Sequence, residues 1–155
     1  MAERKIVNSK CLDEIGTSLS DFEEVKEGDK DYFVLGKGSF GFTEKMKSKH
    51  NSKFYAIQKL DKKENYNYKS LIGETKMFID LDHPNLIKFY GYFEDKEKID
   101  KYKSICKDKA SGTEDKEVYC LVLEYVENGS LEDYFKKYKE KIRLKKVLLP
   151  FPKIL

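Results

Sequence analysis

Six consecutive residues, Gly36-Lys37-Gly38-Ser39-Phe40-Gly41, carry the spacing G-x-G-x-x-G. Glycines placed this way let the backbone fold closely over an anion and turn its amide N–H groups toward it, as a loop over a triphosphate must. The same residues would also make a glycine-rich hairpin turn with no ligand, and the six alone do not decide between the two. Context argues against a dinucleotide-binding strand-to-helix turn, because strand-like sequence flanks the run on both sides. Metal and thiol chemistry have less support. Cys11, Cys106 and Cys120 lack C-x-x-C spacing and are far in sequence from His50 and His83, so they read as isolated thiols in a reducing compartment.

The elements that must position the glycines can be read from the apolar pattern. Residues 1–31 are polar with helix-compatible pieces and read as an N-terminal extension. Tyr32–Leu35 and Phe42–Met46 are strand-like, so the glycines fall at a hairpin turn, and Phe54–Leu60 is a third strand. A helix follows, with Leu71, Phe78 and Leu81 on one face and Ser70 as its N-cap, ended by His83-Pro84-Asn85. Leu86–Phe93 and Tyr119–Tyr125 read as two further strands. Between them, residues 94–117 are mostly charged and read as a solvated, mobile insertion. Leu131, Tyr134, Phe135, Tyr138 and Ile142 keep helical spacing and predict a second helix.

The order of these pieces is more specific than the glycines. A glycine hairpin, the strand YAIQKL, a helix with a carboxylate, HPNLIKFYGYF and then LVLEYVENGSLEDYF follow in register. From about Phe22 to Tyr138 the chain resembles the N-terminal lobe of a eukaryotic protein kinase, through the hinge and the first helix beyond it. The resemblance implies an α+β fold: a five-stranded antiparallel sheet with one packed helix. It divides the chain into an extension (1–31), the lobe (32–126) and a post-hinge helix with a tail (127–155).

Carried over by residue, the resemblance puts Gly36, Gly38 and Gly41 over the phosphates of ATP and Leu35 as a lid on the adenine. Thr43 stands where the family has valine and shortens the apolar cover. Ala56 would line the adenine from beneath, Leu123 falls at the gatekeeper position, and the backbone of Glu124 to Val126 would bond the base. Glu74 matches the glutamate of the packed helix, although a partly exposed helix glutamate is an equal reading.

One departure stands out. Where the family writes V-A-I-K, this chain has Tyr55-Ala56-Ile57-Gln58-Lys59, so Gln58 occupies the lysine position. Side chains alternate along a strand, which puts Ala56, Gln58 and Leu60 on one face and Tyr55, Ile57 and Lys59 on the other. Gln58 can donate an amide hydrogen bond but brings no positive charge to phosphate or to Glu74. By analogy with deleting one preorganised donor, that costs about 3 kcal/mol in the transition state. A one-residue bulge at Gln58 would swing Lys59 inward and restore the pair.

No catalytic residue is implied, because H-R-D, D-F-G and A-P-E are all missing. The family's second lobe holds magnesium, so the resemblance implies weak ATP binding and no magnesium site in this chain. The ending LLPFPKIL, with Pro152 against helix continuation, suggests a chain cut before the catalytic loop.

Composition bounds the alternatives. At 155 residues there is room for one domain, and 39% hydrophobic residues with 11 Tyr and 10 Phe suffice for a core. Net charge is +3, but residues 136–146 hold seven basic residues and one acidic, a local +6. That tract is a solvated helix face before it is a site for RNA or acidic lipid. No apolar run approaches a membrane span and MAERK is no secretory signal, which places the chain in the cytoplasm with ATP as partner. The functional expectation is the ATP-binding lobe of a kinase domain of the Ser/Thr branch, inactive alone. The alternative is a non-catalytic pseudokinase fragment that docks on a protein through its exposed cleft face.

Overall fold

Phe33–Lys37, Gly41–Ser48, Phe54–Asp61, Phe89–Glu97 and Lys116–Glu124 are rich in aromatic and aliphatic residues, and each forms a strand in the computed structural model, which describes residues 6–7, 9–63, 68–107 and 112–144. Two short strands precede them, β1 (Ile6–Val7) and β2 (Phe22–Glu24), so the five are β3 to β7. All pair antiparallel in one sheet of order β1-β6-β7-β5-β4-β2, with β3 also on β4. The five strands expected from the sequence therefore form the body of the sheet, β3-β4-β5-β7-β6. The N-terminal extension supplies the other two: β1 lies beside β6, and β2 continues along the edge of β4 past β3.

The two-residue period of the strands divides the sheet into two faces, each with its own core. One face carries Leu60, Phe89, Tyr92, Tyr119 and Leu121, with Ile79 of the helix α2 (Tyr68–Ile79) packed against them. This is the cleft face. The opposite, outer face carries Phe42, Met46, Tyr55, Ile57, Phe93, Val118, Cys120 and Val122. It is covered by Leu12 of α1 (Ser9–Asp13), by Ile15, and by Tyr102 and Ile105 of α3 (Ile99–Ile105). The extension is pinned as well as packed: Asp95 accepts hydrogen bonds from the Ser18 hydroxyl at 3.0 Å and the Leu19 amide at 2.8 Å.

Three local expectations are corrected. The described residues of 94–117 are not a solvated insertion: β6 runs on to Glu97, α3 follows, and β7 begins at Lys116, while 108–111 lie outside the described residues. Tyr102, Ile105 and Cys106 are buried, and Asp115 caps α3 by accepting from the Ile99 amide. Of the lysines that made this stretch look solvated, Lys101 and Lys103 lie on this short helix, and Lys96 and Lys116 lie on the strands either side of it. On α2, Phe78 stays exposed, as does Leu81 just beyond it, while Thr75 and Ile79 turn toward the sheet. The side chain of Leu71 is outside the described residues. Ser70 sits inside the first turn of α2, which begins two residues earlier, and is no N-cap.

The last helix, α4 (Leu131–Leu144), forms as the spacing predicts. Its N-terminus is closed by a capping exchange in which Ser130 Oγ accepts from the Asp133 amide and Asp133 Oδ2 accepts from the Ser130 amide. Residues 145–155, including the LLPFPKIL ending and the end of the basic tract, lie outside the described residues. No described helix is long and apolar enough to cross a membrane.

Candidate functional site

The glycine run forms the turn between β3 and β4 and is closed on itself: the Gly38 amide donates to Gly41 O at 2.9 Å. A second bond, from the Asp61 amide to Phe40 O at 2.9 Å, ties the tip of the turn to the end of β5. Gly41 is fixed by the fold. Its φ is +156° and a Cβ there would lie 1.8 Å from the carbonyl oxygen of Lys59. Gly36 and Gly38 face open space, and a Cβ at either would meet nothing within 4 Å.

Beneath this cap lies a cavity of about 320 Å³, lined by Gly36 to Thr43 together with Gln58 and Leu60. The register explains the set. Thr43 pairs with Gln58 and Gln58 with Leu121, so the amide side chain of Gln58 rises from the middle of the sheet on the cleft face. Ala56 is on the same face, fully buried, between Lys45 of β4 and Leu123 of β7. Leu35, at the register shift between Val34 and Gly36, is half-buried. The structure thus unites Gly36, Gly38, Gly41, Thr43 and Gln58 around one cavity. Leu35, Ala56, Leu123, Glu124 and Val126 are not among its lining residues.

Lys59 is not part of this site. The β4–β5 and β5–β7 registers run through Gln58 and Lys59 without a shift, so the rescuing bulge does not form. Lys59 instead points to the outer face, fully buried, with its Nζ 2.7 Å from Glu44 Oε2 and also bonded to Glu97 Oε2. Burial alone would pull the ammonium's pKa down, but the Glu44 and Glu97 carboxylates outweigh it and hold the group above its ordinary value. Lys101 of α3 closes the cluster at 2.8 Å from Glu44 Oε1 and also reaches Glu24.

That cluster escaped the sequence reading. The signal was present as Ile99, Tyr102 and Ile105 at helical spacing, but Glu44, Lys59 and Glu97 are far apart in the chain and only the pleat brings them together. Tyr102 stands edge-on to Phe42, 5.8 Å between ring centroids, so α3 backs the strand that leaves the glycine turn.

Glu74 lies on α2, and its side chain is outside the described residues. The hinge begins where β7 ends. The Glu124 amide donates to Lys88 O at 2.8 Å, and Glu124 Oε2 accepts from the Lys88 amide at 3.0 Å. Val126 is buried at 6% exposure.

A model of the protein kinase domain matches residues 30–149, which include the cap, Gln58 and the hinge. The chain belongs to the protein kinase domain family. It is 34% identical over 120 residues to calcium-dependent protein kinase 5 of Plasmodium falciparum (isolate 3D7), covering 77% of this chain and 17% of that protein. To cAMP-dependent protein kinase type 3 of Saccharomyces cerevisiae it is 28% identical over 123 residues, 77% of this chain and 24% of the relative. To serine/threonine-protein kinase tousled-like 1 of Mus musculus it is 28% identical over 114 residues, 68% and 12% respectively. The chain therefore spans less than a quarter of the length of each of these relatives.

Proposed function

We propose that this chain is the ATP-binding lobe of a protein kinase domain of the serine/threonine kind, whose parent reaction transfers the γ-phosphoryl group of ATP to a protein hydroxyl. The observation that carries the reading is the meeting of cap and cavity: three spaced glycines over about 320 Å³ of open volume, on the sheet face that also bears Ala56 and Leu123. In this reading the phosphates lie under the turn, where backbone amides can face them. The adenine extends toward Ala56 and Leu123 with Leu35 above it and the backbone of Glu124 to Val126 at its edge. Gln58 meets the phosphates with a neutral amide.

On this reading magnesium, which the family uses with ATP, is not held by this chain alone. The sequence contains no H-R-D, D-F-G or A-P-E motif. On this reading the chain binds nucleotide weakly and by itself transfers nothing.

Thermal unfolding of the chain across an ATP titration tests this. Binding to the folded state alone stabilises by about 2.7 kcal/mol at a hundred times Kd. An unmoved melting temperature at millimolar ATP would overturn the proposal and favour a second reading, a non-catalytic module that docks on a protein. Exposure of Met77, Phe78, Leu81 and Leu86 on α2 and just beyond it supports that alternative.

A further inference from the structure

Lys45 lies on β4 opposite Phe33 of β3 and Ala56 of β5, so its side chain rises from the cleft face. Its Nζ is 4.3 Å from the ring centroid of Tyr125, 4.5 Å from that of Phe54 and 5.4 Å from that of Phe33. A cation within about 6 Å of an aromatic face is attracted by the ring quadrupole, and here rings from β3, from β5 and from the residue after β7 converge on one ammonium. Phe54 and Tyr125 also meet edge to face, 6.4 Å apart. Lys45 makes no salt bridge among the described residues, so the rings are its electrostatic partners.

The place of Tyr125 gives the cluster its meaning. It is the first residue past the end of β7, where the ladder to β5 stops at the pair Tyr55–Glu124. Glu124 is held from one side by its two hydrogen bonds with Lys88. Beyond it, Tyr125 is tied to the other half of the sheet by its ring on Lys45. We propose that Lys45 is a positioning residue of the hinge: by holding Tyr125 against β4 it fixes the backbone of Tyr125 and Val126 at the edge of the cleft. What this backbone does for a base rests on the nucleotide-binding reading, whereas its ordering by Lys45 does not.

Amide hydrogen exchange on the full chain without ligand tests the ordering, and adenosine titration tests its use. Lys45→Met keeps the length of the side chain and removes the charge; Lys45→Arg keeps the charge. Exchange at Tyr125 and Val126 should quicken about fivefold in Lys45→Met, the factor a partly exposed cation–π attraction supplies, and stay near wild type in Lys45→Arg. Adenosine affinity should fall by a similar factor. In a Tyr125→Leu background, Lys45→Met should add nothing.

Unchanged hinge exchange overturns the proposal, and so does an equal acceleration throughout β4 and β5, which marks general loss of stability. Full adenosine affinity in Lys45→Met overturns it as well. If wild type binds no adenosine while hinge exchange responds to Lys45, the nucleotide reading falls and the positioning role stands.

Discussion

Replacing Gln58 by lysine puts a cation where the sheet register aims a side chain into the cavity under the glycine turn. The Gln58 amide can already donate to a charged phosphate, so the exchange adds the charge–charge attraction, about 1 kcal/mol at 4 Å in bulk water and on the order of 1.4 kcal/mol in this part-open cavity. A full ion pair at 4 Å would reach about 4 kcal/mol at an effective dielectric of 20, but the cavity opens to water and that figure is a ceiling. The expected result is an ATP Kd about tenfold tighter in Gln58→Lys, with adenosine within about twofold of wild type. Calorimetric titration of both ligands at about 50 and 300 mM salt reads it, and the ATP gain should shrink at the higher salt. An equal gain for adenosine, or none for ATP, would refute the placement of Gln58 at the phosphate end.

The neighbouring residue should behave in the opposite way. Lys59→Ala leaves Glu44 and Glu97 buried without their shared cation and should cost about 3 kcal/mol or more in urea unfolding, with unaltered nucleotide affinity in the folded fraction. Gly41→Ala drives a methyl into the Lys59 carbonyl at a φ unsuited to alanine and should cost several times more than Gly36→Ala, which meets open space; denaturant midpoints compare them. Burial works to raise the Asp21 carboxyl, but the Thr17 and Ser18 amides and His50 together hold it below its ordinary value of 3.8. A depressed carboxylate stabilises the fold above its unfolded pKa and loses that contribution as pH falls through its folded one. Wild type should therefore lose stability below about pH 4 more steeply than Asp21→Asn, followed by thermal unfolding from about pH 5 to 2.5.

Much of the fold was legible along the chain. The five principal strands are short segments with apolar residues at alternating positions, and that alternation correctly separated Gln58 from Lys59. Helix α2 was legible as an element but not in its orientation. Packing turned Thr75 and Ile79 toward the sheet and left Met77 and Phe78 exposed. The stretch 94–117 misled because seven residues of helix carry a weak periodic signal beneath many lysines.

The sequence by itself determined the class of protein, the position of the glycine turn and the neutral side chain at residue 58, because each depends on residue type and on a period of two. Tertiary structure decided what covers the outer face, where the charge of Lys59 goes and which rings surround Lys45. These depend on residues remote in the chain being brought within a few ångströms of one another. A buried ammonium is tolerated only where carboxylates from other strands reach it, and that complementarity exists only once the sheet has closed.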